Sequence, residues 1–127
     1  MKVLLILLAA VPIGGYFWSR KSRQEWLWTI TGVCFGLVVA PLGLGFMDLS
    51  GLPIIGKLFG LIGMLLNLVH GLPGFIIAVA HGIHAPGEVL SVSGHVMVSA
   101  INGVAWAFFY GVLGFTFDKK SKEILGS

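Results

Sequence analysis

Residues 51–87 read GLPIIGKLFGLIGMLLNLVHGLPGFIIAVAHGIHAPG. They form an apolar stretch broken where a membrane helix would run on. The spacing predicts a helix from residue 53, interrupted at 70–74 by His70-Gly71-Leu72-Pro73-Gly74 and resumed to residue 80. Lys57, Gly60, Met64, Asn67 and Gly71 follow one another at spacings of three and four and so share one helix face, with Gly63 and His70 beside it. Lipid cannot satisfy Asn or Lys, so such a stripe is expected to face protein or water. Pro73 cannot donate to the carbonyl of Val69, which leaves a break that needs partners.

Composition sets the class. Of 127 residues, 57% are hydrophobic and 10% charged, against about 25% charged in an ordinary soluble domain. The other apolar runs, about 3–18, 26–45 and 90–117, approach the roughly 20 residues that a bilayer crossing requires. The expectation is an all-α integral membrane protein, a single domain of four segments with a broken or re-entrant third. A β-barrel would need short alternating segments, and these runs are continuous. The style is that of a bacterial cytoplasmic membrane protein.

The run 3–18 follows Met1-Lys2 as a signal peptide would, but no small-x-small cleavage site comes after it and a basic cluster does. It reads as the first membrane helix, with Pro12 inside it. Tyr16, Phe17 and Trp18 close it, and Trp26 and Trp28 open the next, flanking Arg20-Lys21-Ser22-Arg23. Aromatics around a basic turn form an interfacial belt. The short turn makes the first two helices antiparallel neighbours.

In the second helix Thr29, Gly32, Gly36, Ala40 and Gly43 form a stripe of small residues, which lets helix backbones approach closely. Pro41 is expected to bend its last turn, Asp48 or Ser50 to cap the third helix, and Pro53 to occupy its first turn. In the last helix Ser91, His95, Ser99 and Asn102 are spaced four, four and three, and Trp106 and Tyr110 extend the line. Asp118 and the lysine-rich tail end it. Asn67 and Asn102 are candidates for a hydrogen bond between helices. Helix packing is assigned to Gly32, Gly36, Gly43, Gly60 and Gly63. The polar face is assigned to Lys57, Asn67, His70, His95, Ser99 and Asn102, and the break to Gly71, Pro73 and Gly74.

Two topologies compete. Four simple crossings put Lys2, Lys57, Lys119, Lys120 and Lys122 on one side and Arg20, Lys21 and Arg23 on the other. A re-entrant hairpin over 51–87 puts Arg20, Lys21, Arg23 and the three tail lysines together, and the charge rule favours it. Length inclines the other way, since residues 53–69 make about 25 Å of helix, almost a crossing.

Function is less legible. The histidines invite a b-type haem or metal reading through His81, His84 and His95, because imidazoles within helix bundles ligate iron and copper. Yet His81 and His84 lie in what reads as an interfacial loop, and no cofactor is expected. The broken third segment suggests an oligomeric pore, holin-like or passing a small solute, but no carboxylate lies inside an apolar run to couple transport. Ser91, Ser93 and Ser99 near His95 lack an acid partner or nucleophile elbow, so no enzyme is expected. The basic clusters read as topology signals and lipid contacts, not nucleic-acid binding. What remains is a structural or accessory subunit, its partners the bilayer and other membrane subunits or itself. The mid-helix aromatics Trp106, Phe108, Phe109 and Tyr110 suit a protein partner at that depth.

Overall fold

The computed structural model describes residues 2–22, 24–83 and 91–125. The described residues fold into five α-helices without a strand: α1 (Lys2–Ser22), α2 (Leu27–Asp48), α3 (Gly56–His70), α4 (Leu72–Ala80) and α5 (Val92–Leu125). Short 3-10 turns at Gln24–Trp26 and Leu49–Gly51 flank α2. By length and composition, the stretches Gln24–Gly51 and Ser93–Ile124 are long and apolar enough to cross a membrane. The pair α3 and α4, bent by 51° at the break, would make a third if it were one span.

Several helix ends differ from the sequence expectation. The α2 helix runs on through Pro41 to Asp48, past the expected end near residue 45. The third helix starts at Gly56 and not at Pro53. Residues 53–55 turn back on themselves, with Ile55 N–H donating to the Pro53 carbonyl at 2.8 Å across Ile54, whose φ is 69°. Neither Asp48 nor Ser50 caps α3, because its N-cap falls at Ile55 and carries no side-chain hydrogen bond. Pro73 sits in the first turn of α4, where a missing N–H costs no ladder bond. The break therefore contracts to Gly71 alone. The last helix continues past residue 117 to Leu125.

The α2 helix is the centre of the molecule, and glycines set its distance from its neighbours. A Cβ added at Gly32 would strike the backbone of Tyr110, and one at Gly36 the backbone of Trp106 and Ala107. From the other side, Gly103 lies against Leu37 and Gly114 against the carbonyl of Trp28. Rising numbers on α2 meet falling numbers on α5, so the two helices are antiparallel. On a second side of α2, Gly63 lies against the carbonyl of Gly43 and the N–H of Met47, and Gly60 meets Ser50. Here α3 runs back along the final turns of α2. On a third side α1 packs antiparallel, with Gly15 against Cys34 and Leu8 and Ala9 against the core pair Val38 and Leu42.

One end of this bundle is tied by a carboxylate. Asp118 is only 5% exposed. It accepts from the N–H groups of Trp28 and Thr29 at 2.9 and 2.8 Å and from the Thr29 hydroxyl at 2.7 Å. The first N–H groups of a helix have no partner within it, and their positive end favours an anion. Asp118 thus caps α2 from a distant helix instead of marking where the last helix stops. Ser19, buried at the end of α1, donates to the carbonyls of Tyr16 and Leu27 at 3.1 and 3.5 Å. Lys122 reaches Glu25 at 3.6 Å, an exposed pair screened by solvent that adds little.

These ties set α2 and α5 antiparallel, an arrangement that four alternating crossings would not give. Such crossings would make α2 and α5 parallel and would separate the basic clusters. Antiparallel packing instead gathers Arg20, Lys21, Lys119, Lys120 and Lys122 at one end, while Arg23 lies outside the described residues. It also puts the end of α2 and the start of α5 together at the far end. Whatever joins them leaves from and returns to that end.

Candidate functional site

Three residues of the last helix, Asn102, Trp106 and Tyr110, converge on the break between α3 and α4. Asn102, only 2% exposed, projects from α5 into it. Its Oδ1 accepts from the N–H of Gly74 at 2.6 Å, and its Nδ2 donates to the Gly71 carbonyl at 3.2 Å. One turn along α5, the Trp106 indole N–H donates to the His70 carbonyl at 2.9 Å. One turn further, the Tyr110 hydroxyl lies 2.7 Å from His70 Nε2. The other ring nitrogen, Nδ1, lies 3.0 Å from the Leu66 carbonyl, which can only accept. This makes Nδ1 the protonated nitrogen and Nε2 the acceptor of the Tyr110 O–H. Asn102, Trp106 and Tyr110, one turn apart on one face of α5, thus satisfy the backbone and side-chain groups around Gly71.

The geometry explains the glycine at position 74. A Cβ there would meet the Val98 carbonyl and the Asn102 side chain, so only glycine lets the first turn of α4 reach α5. It also corrects the expected pairing of Asn67 with Asn102. Asn67 instead donates to the carbonyl of Gly63 and to the Met47 sulfur, each at 3.3 Å. Asn102 is drawn to the break because the Gly74 N–H, which has no acceptor within its own helix, lies there.

Beside this clamp is a cleft of about 290 Å³ between α2, α3, α4 and α5. Ala40, Leu44, Leu68, Leu72 and Phe75 give it apolar walls, and Asn67, His95, Ser99 and Asn102 give it polar points. Four of the six residues expected on the polar face therefore share one cleft. His70 is buried in the adjoining clamp. Lys57 belongs to neither: it lies exposed on the first turn of α3, because the stripe drifts off the packed face toward the helix start.

Two of the three weak metal candidates are exposed. His81 is exposed at the end of α4, with Nδ1 3.0 Å from the Ile77 carbonyl. His95 is exposed on α5. His84 lies outside the described residues. Among the described residues no three His, Cys, Asp or Glu side chains group so as to hold a metal ion. The mid-helix aromatics divide: Trp106 and Tyr110 are engaged within the chain, Phe109 packs edge-on against both while half-exposed, and Phe108 points outward.

Comparison with known protein families, characterised proteins and solved structures finds nothing detectably similar to this chain. The site is therefore interpreted from its own chemistry.

Proposed function

We propose that this chain is a small integral membrane protein of the cytoplasmic membrane type that acts as a structural or accessory subunit. In this reading α1, α2 and α5 cross the bilayer. The α3–α4 pair dips in from the end opposite the basic residues and returns to it. The positive end then faces the cytoplasm, as the charge rule requires.

The observation that carries the subunit reading is how the faces are divided. Glycines, Asn102, His70, Trp106 and Tyr110 are engaged inside the chain. Left outside on α3 is a row of exposed leucines, Leu58, Leu61 and Leu65. Their spacings of three and four match the seam that one helix offers another. A pore would need polar side chains along a whole passage, and Asn102, Trp106 and Tyr110 are turned to the break instead. A haem would need imidazoles turned into the bundle, and of its candidates His81 and His95 are exposed, while the buried His70 has both ring nitrogens engaged.

Purification in mild detergent followed by native mass measurement tests this reading. The expected result is a defined complex with another membrane protein, or with further copies of this chain. Replacing Leu58, Leu61 and Leu65 together by Ala should dissociate it while helix content stays unchanged. A wild-type chain that runs as a monomer, indistinguishable from the triple variant, contradicts the proposal.

A further inference from the structure

The cleft beside the clamp holds polar groups that the fold leaves unused. Ser19, Ser22, Thr31 and Thr116 each donate their hydroxyl to a carbonyl three or four residues earlier, the ordinary habit on a helix. Ser99 does not, and neither its hydroxyl nor the His95 ring bonds another described residue. Asn67 donates through Nδ2, which leaves its Oδ1 without a partner. An apolar cleft with a few converging, unused polar groups is the usual form of a small-molecule site.

Position and charge narrow the occupant. His95 and Ser99 lie 23 and 19 residues before Asp118, about 34 and 28 Å along the helix at 1.5 Å per residue. If Asp118 marks the basic boundary of a hydrocarbon core about 30 Å thick, both residues stand at the opposite boundary. There a glycerolipid presents its ester carbonyls, which accept hydrogen bonds and carry no charge. The cleft lining matches this: its polar residues are Asn, Ser and His, and no carboxylate, lysine or arginine is among them. Leu68, 63% exposed, and Leu72 carry the apolar wall out to the lipid-facing surface, so a hydrocarbon tail can enter from the side.

We propose that this cleft binds one ester-linked glycerolipid from the leaflet opposite the basic end, with Ser99 and His95 donating to its ester carbonyls and an acyl chain along Leu68 and Leu72. The inference rests on the membrane reading above. A lipid held there would cover the break and hold α4 against α5.

The test uses the full chain in mild detergent, incubated with dioleoylphosphatidylcholine or with its ether-linked analogue, which lacks both carbonyls, and measured by native mass spectrometry. The expected result is one ester lipid retained per chain. Retention should fall about tenfold with the ether lipid, and equally with the ester lipid in a His95→Leu, Ser99→Ala double variant, since two hydrogen bonds are lost. Circular dichroism confirms the variant's fold, which those side chains do not support. Equal retention in all arms, or a bound quinone in place of the glycerolipid, overturns the proposal. Alkaline extraction of the source membranes separates the two failures. Release into the supernatant sinks the membrane reading, whereas a chain that stays with the membrane but ignores the carbonyls sinks the lipid site alone.

Discussion

Asn102 partners the Gly74 N–H and adds a second donor to the Gly71 carbonyl, which also accepts from the Phe75 N–H at 3.2 Å, and this gives the residue scale its sharpest test. In Asn102→Leu the shape is kept but the Gly74 N–H and Gly71 carbonyl lose their side-chain partner. A buried group left unmatched costs about 1–3 kcal/mol, and denaturation in detergent should show a loss of that order. Asn67→Leu should cost less than about 1 kcal/mol, because its bonds are long and one of them goes to sulfur. Equal effects would contradict the assignment of Asn102 to the break. Asp118→Ala should cost about 1–2 kcal/mol, as loss of a helix cap does, and should speed hydrogen exchange at the amides of Trp28 and Thr29. The line from His95 through Tyr110 was readable from spacing alone, since periodicity reports which residues share a face. It does not report what that face meets. Asn102 therefore looked like a partner for Asn67, and the capping role of Asp118, whose partners lie about ninety residues away, left no local trace.

At the scale of elements, glycines set how closely α2 can be approached. Gly36→Ala places a Cβ against the backbone of Trp106 and Ala107, which cannot step aside as a flexible side chain would. The expected cost is about 1–3 kcal/mol, as for other overpacked contacts. Gly14 is the matched control, since nothing lies within 4 Å of its added Cβ. Gly14→Ala should be neutral, or stabilising by up to about 1 kcal/mol through helix propensity. Comparing both variants by thermal unfolding checks the pair, and similar losses would mean that contact at Gly36 is not the cause. The stripe on α2 was legible because Gly32 and Gly36 fall one turn apart. Its counterpart on α5, Gly103, Ala107, Gly111 and Gly114, was not singled out, because the polar residues of that helix dominate its pattern. Helix ends were the least legible feature. Pro53 suits a first helical turn by proline's local habit, and the turn at Ile54 overrides it.

For the whole molecule, the direction of α5 relative to α2 governs everything else. Counting charges pointed to a returning third segment and counting residues to a crossing one, and neither count can see which way two distant helices lie. The contacts of Gly32, Gly36 and Gly114 with α5, together with the hold of Asp118 on the start of α2, supply that direction. An antiparallel pair places Lys21 beside the tail lysines, and places Ser50 and Ser91 together at the other end. Single cysteines at positions 21, 120, 50 and 91, in a Cys34→Ser background, can be labelled in sealed vesicles with a membrane-impermeant maleimide. The account predicts that positions 21 and 120 react from one side and positions 50 and 91 from the other. Labelling of positions 21 and 120 from opposite sides would contradict it.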